Sequence, residues 1–372
     1  MLIRNAEVPE RLKHPRVALM ILNFNGLNWL KICLPSVIKS TYHNLDLFLI
    51  DNGSVDDPTT FVRSNYPQIK ILRLTDNLGF AEAYNRLIKN VESDFVLLLN
   101  NDTVVLNPNW VEVLLKRAQR DKSIAAVGCK LVSMNDSSRL VSVGVMGIPY
   151  WRGFTDMGLG EYDRGQYDGE DFEPFAVCAG AVLINREAFM RAGGFDGKFF
   201  LYVEDVDLSW RLRLLGYRVG FEANARIAHH FSSAGDQILN LNTLFYSHRN
   251  LLRAILKNCG PSLGWALRNY FLYSLLLALG FSIYEPKKAL AIVKGIVWNL
   301  INLRDTYTSR LDVQSKRNTA EHEILGKMYP RAERYQPHNH IKLRGILDLL
   351  FERGQYPQVR RFEAGMKVTL VS

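Results

Sequence analysis

The first half of the chain alternates short apolar runs with segments whose apolar residues recur at helical spacing. Strands are predicted at residues 17–22, 46–50, 69–74 and 95–99, and the first and last of these are unbroken apolar runs. Such runs are typical of strands that are buried on both faces. Between them, residues 27–40 and 80–91 have the spacing of helices. Strands that alternate with helices predict βαβ units, and therefore an α/β fold with a mostly parallel sheet flanked by helices.

Each predicted strand is followed by asparagine, aspartate or glycine. The chain reads NFNG after the first run, DNGS after the second and NND after the fourth. Open α/β sheets bind ligands in the crevice beyond the carboxyl ends of their strands. There the carboxylate of Asp102 suits a hard cation such as Mg²⁺ or Mn²⁺. An ordinary turn is the alternative at this point, because Asn-Asn-Asp is also good turn chemistry.

The same sheet edge offers hydrogen-bonding groups for a nucleoside. Asp51 is able to accept hydrogen bonds from ribose hydroxyls or a base N–H, and Asn23 and Asn25 can reach the same base. No GxGxxG, GKS or GKT motif follows the first strand, which argues against the usual dinucleotide site and against a P-loop. A divalent ion on Asp102 would neutralise a diphosphate instead.

A long segment without clear periodicity follows the predicted sheet strands. Residues 134–173 are rich in Gly, Asp and Tyr. Because loops of this length in a compact domain are usually lids or binding loops, the pattern predicts a segment that covers the substrate. Residues 175–185 then return to strand character, with small side chains at Ala179 and Gly180 where a ligand can approach closely.

Three acidic residues, Glu204, Asp205 and Asp207, crowd the start of a predicted helix. One interpretation is capping and dipole compensation, with Asp205 at the N-cap position. The other is that one carboxylate faces the crevice as a general base for a substrate hydroxyl. His229 and His230 follow the next predicted strand and are candidate metal ligands.

The net charge of +9 is unevenly distributed along the 372 residues. Residues 1–237 carry 26 Lys and Arg against 28 Asp and Glu, whereas residues 238–372 carry 20 against 9. The whole basic excess therefore belongs to the second segment. A basic, aromatic-rich region attached to a nearly neutral globule suits an anionic surface, either a membrane or a nucleic acid.

The second segment also holds long apolar stretches. Residues 269–284 contain no charged side chain, but these 16 residues are fewer than the roughly 20 of a spanning helix. Residues 289–303 are apolar apart from Lys294. Flanking basic and aromatic residues favour helices that lie in the headgroup layer, with a buried helical core and a short spanning hairpin as alternatives. We assign no function to residues 341–372.

Cysteine usage and the N-terminal sequence predict a reducing, cytoplasmic environment. The cysteines form no CxxC pair, and the first residues contain no apolar core of a signal peptide. The four cysteines are far apart: Cys33, Cys129, Cys178 and Cys259. Together with the basic apolar segment, this predicts a cytoplasmic protein that is peripheral on the inner face of the cell membrane.

Several motifs in order over residues 15–235 resemble those of glycosyltransferase family 2. They are VALMILNFNG, LFLIDNGSVDD, NLGFAEAYN, VLLLNNDT, the block from GGFD to FFLYVEDVDLSWRLRLLGY, and the trailing His229. This family comprises inverting nucleotide-sugar enzymes of GT-A fold, and the motifs are most similar to its bacterial rhamnosyltransferase-like branch. The resemblance implies a GT-A catalytic domain over residues 1–237, with 134–173 as the acceptor or lid loop. A helical, basic, membrane-associating segment over 238–372 would follow it.

The resemblance also implies roles in donor binding. Asn23, Asn25 and Asp51 would contact the nucleoside of the donor, with Asn77 and Gly79 beside them. The donor would be a nucleoside-diphosphate sugar.

The catalytic and metal-binding roles follow in the same way. Asn100, Asn101 and Asp102 stand where the family has its DXD motif, although Asn100 replaces the first Asp. Asp102 would bind a divalent cation, Mg²⁺ or Mn²⁺, with His229 as a further ligand. Asp205, the second member of the pair with Glu204, matches the catalytic base.

The expected function is sugar transfer, with inversion, to the hydroxyl of a glycan or lipid-linked glycan in bacterial cell-surface polysaccharide or glycolipid assembly. An anionic membrane surface is an expected partner. The alternative is a non-catalytic sugar-nucleotide-binding or scaffolding member of an assembly complex. A nucleotidyltransferase would need a Gly-rich basic loop that NFNGLN lacks. No nucleic acid is expected as a partner, because the tail has no RNP-like motif.

Overall fold

The computed structural model describes residues 14–230 and 240–329. The predictions for residues 341–372, and for a domain boundary between residues 237 and 238, fall outside this described part. The described strands are β1 (Val17–Asn23), β2 (Leu45–Asn52), β3 (Lys70–Leu74), β4 (Phe95–Asn100), β5 (Thr103–Val105), β6 (Ile124–Ser133), β7 (Leu140–Ser142), β8 (Val145–Ile148), β9 (Gly153–Asp156), β10 (Ala181–Asn185) and β11 (Arg218–His229).

The helices fall into two groups along the chain. Those of the sheet-bearing part are α1 (Leu27–Val37), α2 (Pro58–Asn65), α3 (Gly79–Asn90), α4 (Trp110–Arg120), α5 (Arg186–Arg191) and α6 (Glu204–Leu214). Those of the second part are α7 (Leu241–Asn258), α8 (Leu263–Tyr284), α9 (Pro286–Ile301), α10 (Leu303–Ser315) and α11 (Glu321–Met328). The predicted α/β class with a helical C-terminal segment is confirmed.

The main sheet has the strand order β3-β2-β1-β4-β10-β6-β11-β5, with β7 paired to β6. Its first four strands are parallel, as βαβ crossovers through α1, α2 and α3 require. Strand β10 is antiparallel to both β4 and β6, so the sheet is mixed beyond β4. The carboxyl ends of β1, β2 and β4 therefore lie side by side at one edge.

Apolar residues of the central strands are buried on both faces. In β1, Leu19 packs toward α1 and α4, whereas Met20 packs toward α3 and α6. Leu97 and Leu98 of β4 alternate in the same way. This explains why the sequence shows continuous apolar runs rather than alternation, because both faces of the sheet are covered by helices.

Two expectations for the middle of the chain need correction. The strand predicted for residues 175–185 begins only at Ala181. Backbone N–H groups of Val177 and Ala179 instead donate to Ser209 and Asp205 of α6, so they do not extend the strand. The segment 134–173, which showed no periodicity, holds the short strands β7, β8 and β9.

The second group of helices packs onto the sheet-bearing part through α7. Lys257 contacts Asp207 of α6 at 3.0 Å and Asp196 at 2.5 Å. Helices α8, α9 and α10 pack around α7 in turn. Among the described residues, α8 is the single helix long and apolar enough to cross a membrane, judged by length and composition alone. Its 22 residues exceed the 16 of the predicted stretch, so length does not exclude a crossing.

Candidate functional site

The residues predicted to contact the donor nucleoside meet at the ends of β1, β2 and β4. Asn23 is paired in register with Asp51 of the neighbouring strand. The Asn101 amide donates to Asn23 Oδ1 at 2.7 Å, and Asn23 Nδ2 donates to Ser54 Oγ at 3.2 Å. The exposed Asn25 closes the same turn, because its side-chain oxygen accepts from the N–H of Val55. The structure thus brings these predicted residues together.

Asp51 is fully buried beneath this turn. Its carboxylate accepts hydrogen bonds from the N–H of Ser54 at 3.0 Å and from Thr59 Oγ1 at 3.1 Å. Arg73 Nε lies 3.7 Å from the same carboxylate. Asp51 therefore fixes the loop that follows β2, in addition to its place at the predicted nucleoside edge.

Asn77 and Gly79 form the neighbouring wall. Asn77 Oδ1 accepts from Asn52 Nδ2 and from the N–H of Gly79, both at 2.9 Å. Gly79 has a φ of +76°, and a Cβ placed there would lie 2.4 Å from the carbonyl oxygen of Phe200. Glycine is required at this position because the backbone of residue 200 approaches so closely.

Asp102 faces His229 across two antiparallel strands. The register pairs Thr103 of β5 with His229 of β11, which places the imidazole beside the preceding Asp102. His229 Nε2 lies 3.3 Å from Asp102 Oδ1, and the two side chains are 12% and 27% exposed. The ring of His230 instead packs on Trp29 at a centroid distance of 4.3 Å. Of the two candidate histidines, His229 is the one that faces Asp102.

Asp205 is the second residue of α6, not its N-cap as predicted. The helix begins at Glu204, and Val203 precedes it with a left-handed φ of +69°. Asp205 Oδ1 accepts from the N–H of Val206 at 2.8 Å, and Oδ2 accepts from the N–H of Ala179 at 3.1 Å. These bonds fix the carboxylate against the turn that leads into β10.

The turn at residues 179–180 connects Asp205 with the Asp102–His229 pair. Asp205 binds the N–H of Ala179, and a Cβ on the adjacent Gly180 would lie 3.7 Å from His229 Cε1. The carbonyl oxygen of Gly180 also accepts from the N–H of Asn100 at 3.0 Å. The predicted base and the predicted ligands therefore lie on the same side of the molecule, next to one turn.

Asp205 and the adjacent Glu204 differ in the pKa of their carboxyl groups. Burial raises the pKa of Asp205 to about 6, assisted by the charge of Asp156 and opposed by the two backbone N–H groups. Burial, together with the charge of Asp205, raises the pKa of Glu204 to about 8. Glu204 Oε2 is buried without a hydrogen-bond partner. Of the two carboxyls, Asp205 is therefore the one that ionises more readily, and Glu204 is the one that holds its proton more strongly.

Asp156 is a site residue that the sequence analysis missed. It lies at the end of β9, where its electrostatic neighbours are Asp205 and His229. Burial raises the pKa of its carboxyl. No sequence signal marks it, because it belongs to the segment without periodicity and reaches the site only through the β8–β9 hairpin.

The donor set at Asp102 suits a divalent cation that also binds phosphate. A carboxylate oxygen and an imidazole nitrogen 3.3 Å apart can both be turned toward one ion of the Mg²⁺ or Mn²⁺ type. No group of three or more His, Cys, Asp or Glu side chains able to hold a metal occurs in residues 14–230 and 240–329. A pair of protein ligands is nevertheless sufficient where substrate phosphates complete the coordination.

The chain is similar to bacterial proteins of polysaccharide assembly. It is 31% identical over 219 residues to the N-acetylglucosaminyl-diphospho-decaprenol L-rhamnosyltransferase of Mycobacterium tuberculosis, which covers 53% of this chain and 70% of that protein. It is 28% identical over 233 residues to the O-antigen biosynthesis protein RfbC of Myxococcus xanthus. That alignment spans 59% of this chain and only 18% of the relative's length.

The family comparison covers most of the sheet-bearing part. Residues 19–190 match the model of Glycosyl transferase family 2. The structure is also similar to a mannosyltransferase from Pyrobaculum calidifontis solved with GDP-Man and Mn²⁺, with a TM-score of 0.48 and 15% identity over 86% of this chain and 88% of that one. On the family match and the similarity to the rhamnosyltransferase, this chain belongs to glycosyltransferase family 2.

Proposed function

We propose that this chain transfers a sugar from a nucleoside-diphosphate donor to an acceptor hydroxyl with inversion of configuration. Its place would be the assembly of bacterial cell-surface polysaccharide or glycolipid, for which the names of its relatives are the support. The observation that carries the proposal is the position of Asp205 beside the turn that also contacts His229, 3.3 Å from Asp102. This arrangement supports a base and a diphosphate site that act on the same substrates.

Asp205 is proposed as the general base. Its pKa of about 6 leaves it ionised at neutral pH while keeping it basic enough to accept a proton. The acceptor hydroxyl gives its proton to Asp205 and attacks the anomeric carbon from the face opposite the diphosphate. One displacement inverts the configuration at that carbon. Glu204 remains protonated and keeps a second negative charge away from the reaction centre.

The donor is proposed to lie along the strand ends. Its nucleoside would contact Asn23, Asn25 and Asp51, beside Asn77 and Gly79. Its ribose and diphosphate would extend along Asn100 and Asn101 toward Asp102. Asp102 and His229 would hold a divalent cation, which when bound supplies electrostatic stabilisation of the charge that develops on the leaving diphosphate.

The acceptor side is proposed to involve the segment 134–173, within a catalytic domain over residues 1–237. Asp156, a residue of that segment, is an electrostatic neighbour of Asp205, which supports this role. The helical segment over 238–372 is proposed to associate with the anionic inner face of the cell membrane, where a lipid-linked acceptor is located. The donor sugar is proposed to be rhamnose, because the relative that is 31% identical is named a rhamnosyltransferase.

The proposal is tested with a panel of nucleoside-diphosphate sugars, an acceptor glycan and either Mn²⁺ or Mg²⁺. We expect transfer with one donor, and an anomeric configuration in the product opposite to that of the donor, read by NMR. Removal of the ion with a chelator should abolish transfer, and its return should restore it. Retained configuration would contradict the mechanism. Donor binding without any transfer or hydrolysis would favour the non-catalytic alternative.

A further inference from the structure

Helices α8, α9 and α10 carry an apolar surface that the described part of the chain leaves uncovered. Its twelve large side chains are 43–78% exposed. They are Leu272, Leu275, Leu279 and Ile283 on α8, Leu290, Val293, Val297, Leu300 and Ile301 on α9, and Leu303, Tyr307 and Leu311 on α10. Their spacing of three and four residues places each set on one face of its helix. We call this surface the helical apolar face.

The opposite faces of these helices are packed and polar in part. Tyr270 of α8 donates through its hydroxyl to the carbonyl of His248 in α7 at 3.0 Å. Asn299 of α9 donates to the carbonyl of Arg249 at 2.9 Å, and a Cβ on Gly295 would lie 2.9 Å from the carbonyl of Phe245. The inner sides are therefore fixed against α7, and the helical apolar face is turned outward.

An outward apolar surface of this extent is typical of an interface. A monomeric soluble protein rarely exposes a contiguous apolar patch larger than a few hundred Å² unless it binds something. Single exposed leucines are ordinary, but here they recur on three successive helices. The helical apolar face is therefore expected to have an occupant.

The charge around this surface identifies the occupant. Exposed basic residues lie in or next to its stripes, namely Arg268 before Leu272, Lys287 before Leu290, Lys294 between Val293 and Val297, and Arg304 on α10. An anionic lipid surface offers both acyl chains for the leucines and headgroups for these cations. A second copy of the chain would bring the same positive charges face to face, which opposes a symmetric dimer.

The helix geometry favours lying on the membrane over crossing it. Helix α8, with 22 residues, is long enough to cross, but its Tyr270 and Ser274 are hydrogen-bonded to His248 of α7, so its inner side is held against protein. Helix α9 has 16 residues, a rise of about 24 Å, which is less than the roughly 30 Å of a hydrocarbon core. Lys294 lies at its middle, where a crossing would bury the charge. Helix α7 lies beneath α9 and carries Arg253 and Lys257 in ion pairs with Asp196, so the layer under the helical apolar face is protein.

We propose that the helical apolar face docks the protein flat on an anionic lipid bilayer, with its leucines at the acyl boundary and its basic residues among the headgroups. This inference rests on the proposed function only in taking the membrane as the site of the acceptor. It specifies which surface binds and that no helix crosses. Docking would then hold the catalytic crevice beside a lipid-linked substrate at the bilayer.

Flotation of the full chain with vesicles tests the proposal. We expect binding to vesicles of phosphatidylcholine with phosphatidylglycerol, weak binding to phosphatidylcholine alone, and release at high salt and in alkaline carbonate. The double variant Leu279→Glu with Leu300→Glu should lower the partition coefficient at least about tenfold. The double variant Lys294→Gln with Arg304→Gln should remove the preference for anionic vesicles. Met190→Glu is the matched control, because this exposed side chain on α5 lies outside the surface.

Three outcomes would overturn the proposal: binding to anionic vesicles that both double variants retain, resistance to carbonate extraction, or a dimer without vesicle binding in sedimentation. Circular dichroism establishes whether each variant is folded. If the glutamate double variant does not fold, the double variant Lys294→Gln with Arg304→Gln provides the test. Transfer to a water-soluble acceptor is measured in parallel and should be unchanged in both variants. If the wild-type chain floats with the vesicles but transfers no sugar, the result counts against the proposed function and leaves the docking proposal intact.

Discussion

Glu204 and Asp205, the adjacent carboxyls at the start of α6, differ in pKa because their hydrogen bonds differ. Asp205 accepts two backbone N–H groups, from Ala179 and Val206. Glu204 is 5% exposed and has an oxygen without a partner. Hydrogen bonds to a carboxylate favour its charged form, whereas burial without them favours the neutral form. These contacts therefore favour a charged Asp205 beside a neutral Glu204, an arrangement that acid–base sites commonly use.

The buried Glu204 should make stability depend on pH. Its pKa is about 8 in the folded protein, against an ordinary value of 4.5. Between these values the unfolded chain releases a proton that the folded chain retains, so rising pH destabilises the folded state progressively up to about pH 8. Glu204→Gln removes this dependence. The difference in Tm, variant minus wild type, should therefore increase between about pH 5 and pH 8.

A matched control separates this effect from general changes in charge. Glu170→Gln alters an exposed side chain on the surface and should give a constant difference in Tm over the same pH range. A difference for Glu204→Gln that stays flat would show that Glu204 is already ionised in the folded protein.

At the residue scale, the sequence predicted those positions that belong to motifs. Asn23, Asp51 and Asp102 were found because they follow apolar strands, and the structure places them at one edge. The residues alone left His229 and His230 as candidates, and the resemblance favoured His229. The register of β11 on β5 places His229 beside Asp102. Asp156 could not be found, because its approach to Asp205 depends on a hairpin inside a segment without periodicity.

At the element scale, the turn between β1 and α1 controls the Asn23–Asn101 hydrogen bond. A Cβ on Gly26 would lie 2.2 Å from Asn101 Nδ2 and 2.7 Å from Asn23 Oδ1. Gly26→Ala must therefore displace both amides. Loss of one such hydrogen bond at the proposed donor edge should raise the Kd for the nucleoside diphosphate about tenfold. Isothermal titration calorimetry measures this Kd directly.

Gly326→Ala is the control for this substitution. Gly326 lies inside helix α11, and a Cβ there would meet no atom within 4 Å. Its Kd for the nucleoside diphosphate should equal that of the wild type. Equal affinity in Gly26→Ala would instead mean that the Asn23–Asn101 pair is not part of the donor site.

The elements that the sequence predicted well are those with a strong period. Strands β1 and β4 are continuous apolar runs, and both are buried where predicted. The strand predicted over 175–185 was wrong for its first six residues, since side chains of α6 satisfy that backbone. Apolar composition alone cannot distinguish a strand from an apolar turn whose partners come from a distant helix.

At the scale of the whole molecule, one ion-pair network joins the helical part to the sheet-bearing part. Lys257 of α7 is 3% exposed and contacts both Asp196 and Asp207. Asp207 also pairs with Arg211 in α6. Asp196 in turn pairs with Arg253. Since Asp207 lies two residues after Asp205, this network also supports the helix that carries the proposed base.

Lys257→Ala should destabilise the protein strongly. Two buried carboxylates would lose a cation, and the removal of one partner from a buried ion pair typically costs about 3–5 kcal/mol. Lys316→Ala, which breaks an exposed pair with Asp312, should cost less than about 1 kcal/mol. Unfolding in urea, followed by circular dichroism, compares the two. An equally small loss of unfolding free energy in both variants would mean that this network does not hold α7 in place.

The organisation of the second part was the least predictable from sequence. Its basic excess and apolar stretches were evident, but the extension of α8 back to Leu263 through Arg268 was not. The inward contacts of α8 and α9 depend on Tyr270 and Asn299, polar residues that a hydropathy pattern does not assign to a core. Packing against α7 decides which face of α8 and α9 is covered, and the sequence pattern does not show this packing.

Asp205 is proposed to take the proton from the acceptor, beside the cation that Asp102 and His229 are proposed to hold. The most direct test is the turnover of Asp205→Asn, measured beside its affinity for the nucleoside diphosphate, with the exposed Asp312→Asn as control. We expect kcat to fall about 10²- to 10⁴-fold in Asp205→Asn, with that affinity nearly unchanged and the control unaffected. An unchanged kcat in Asp205→Asn would contradict the role of Asp205 as the general base.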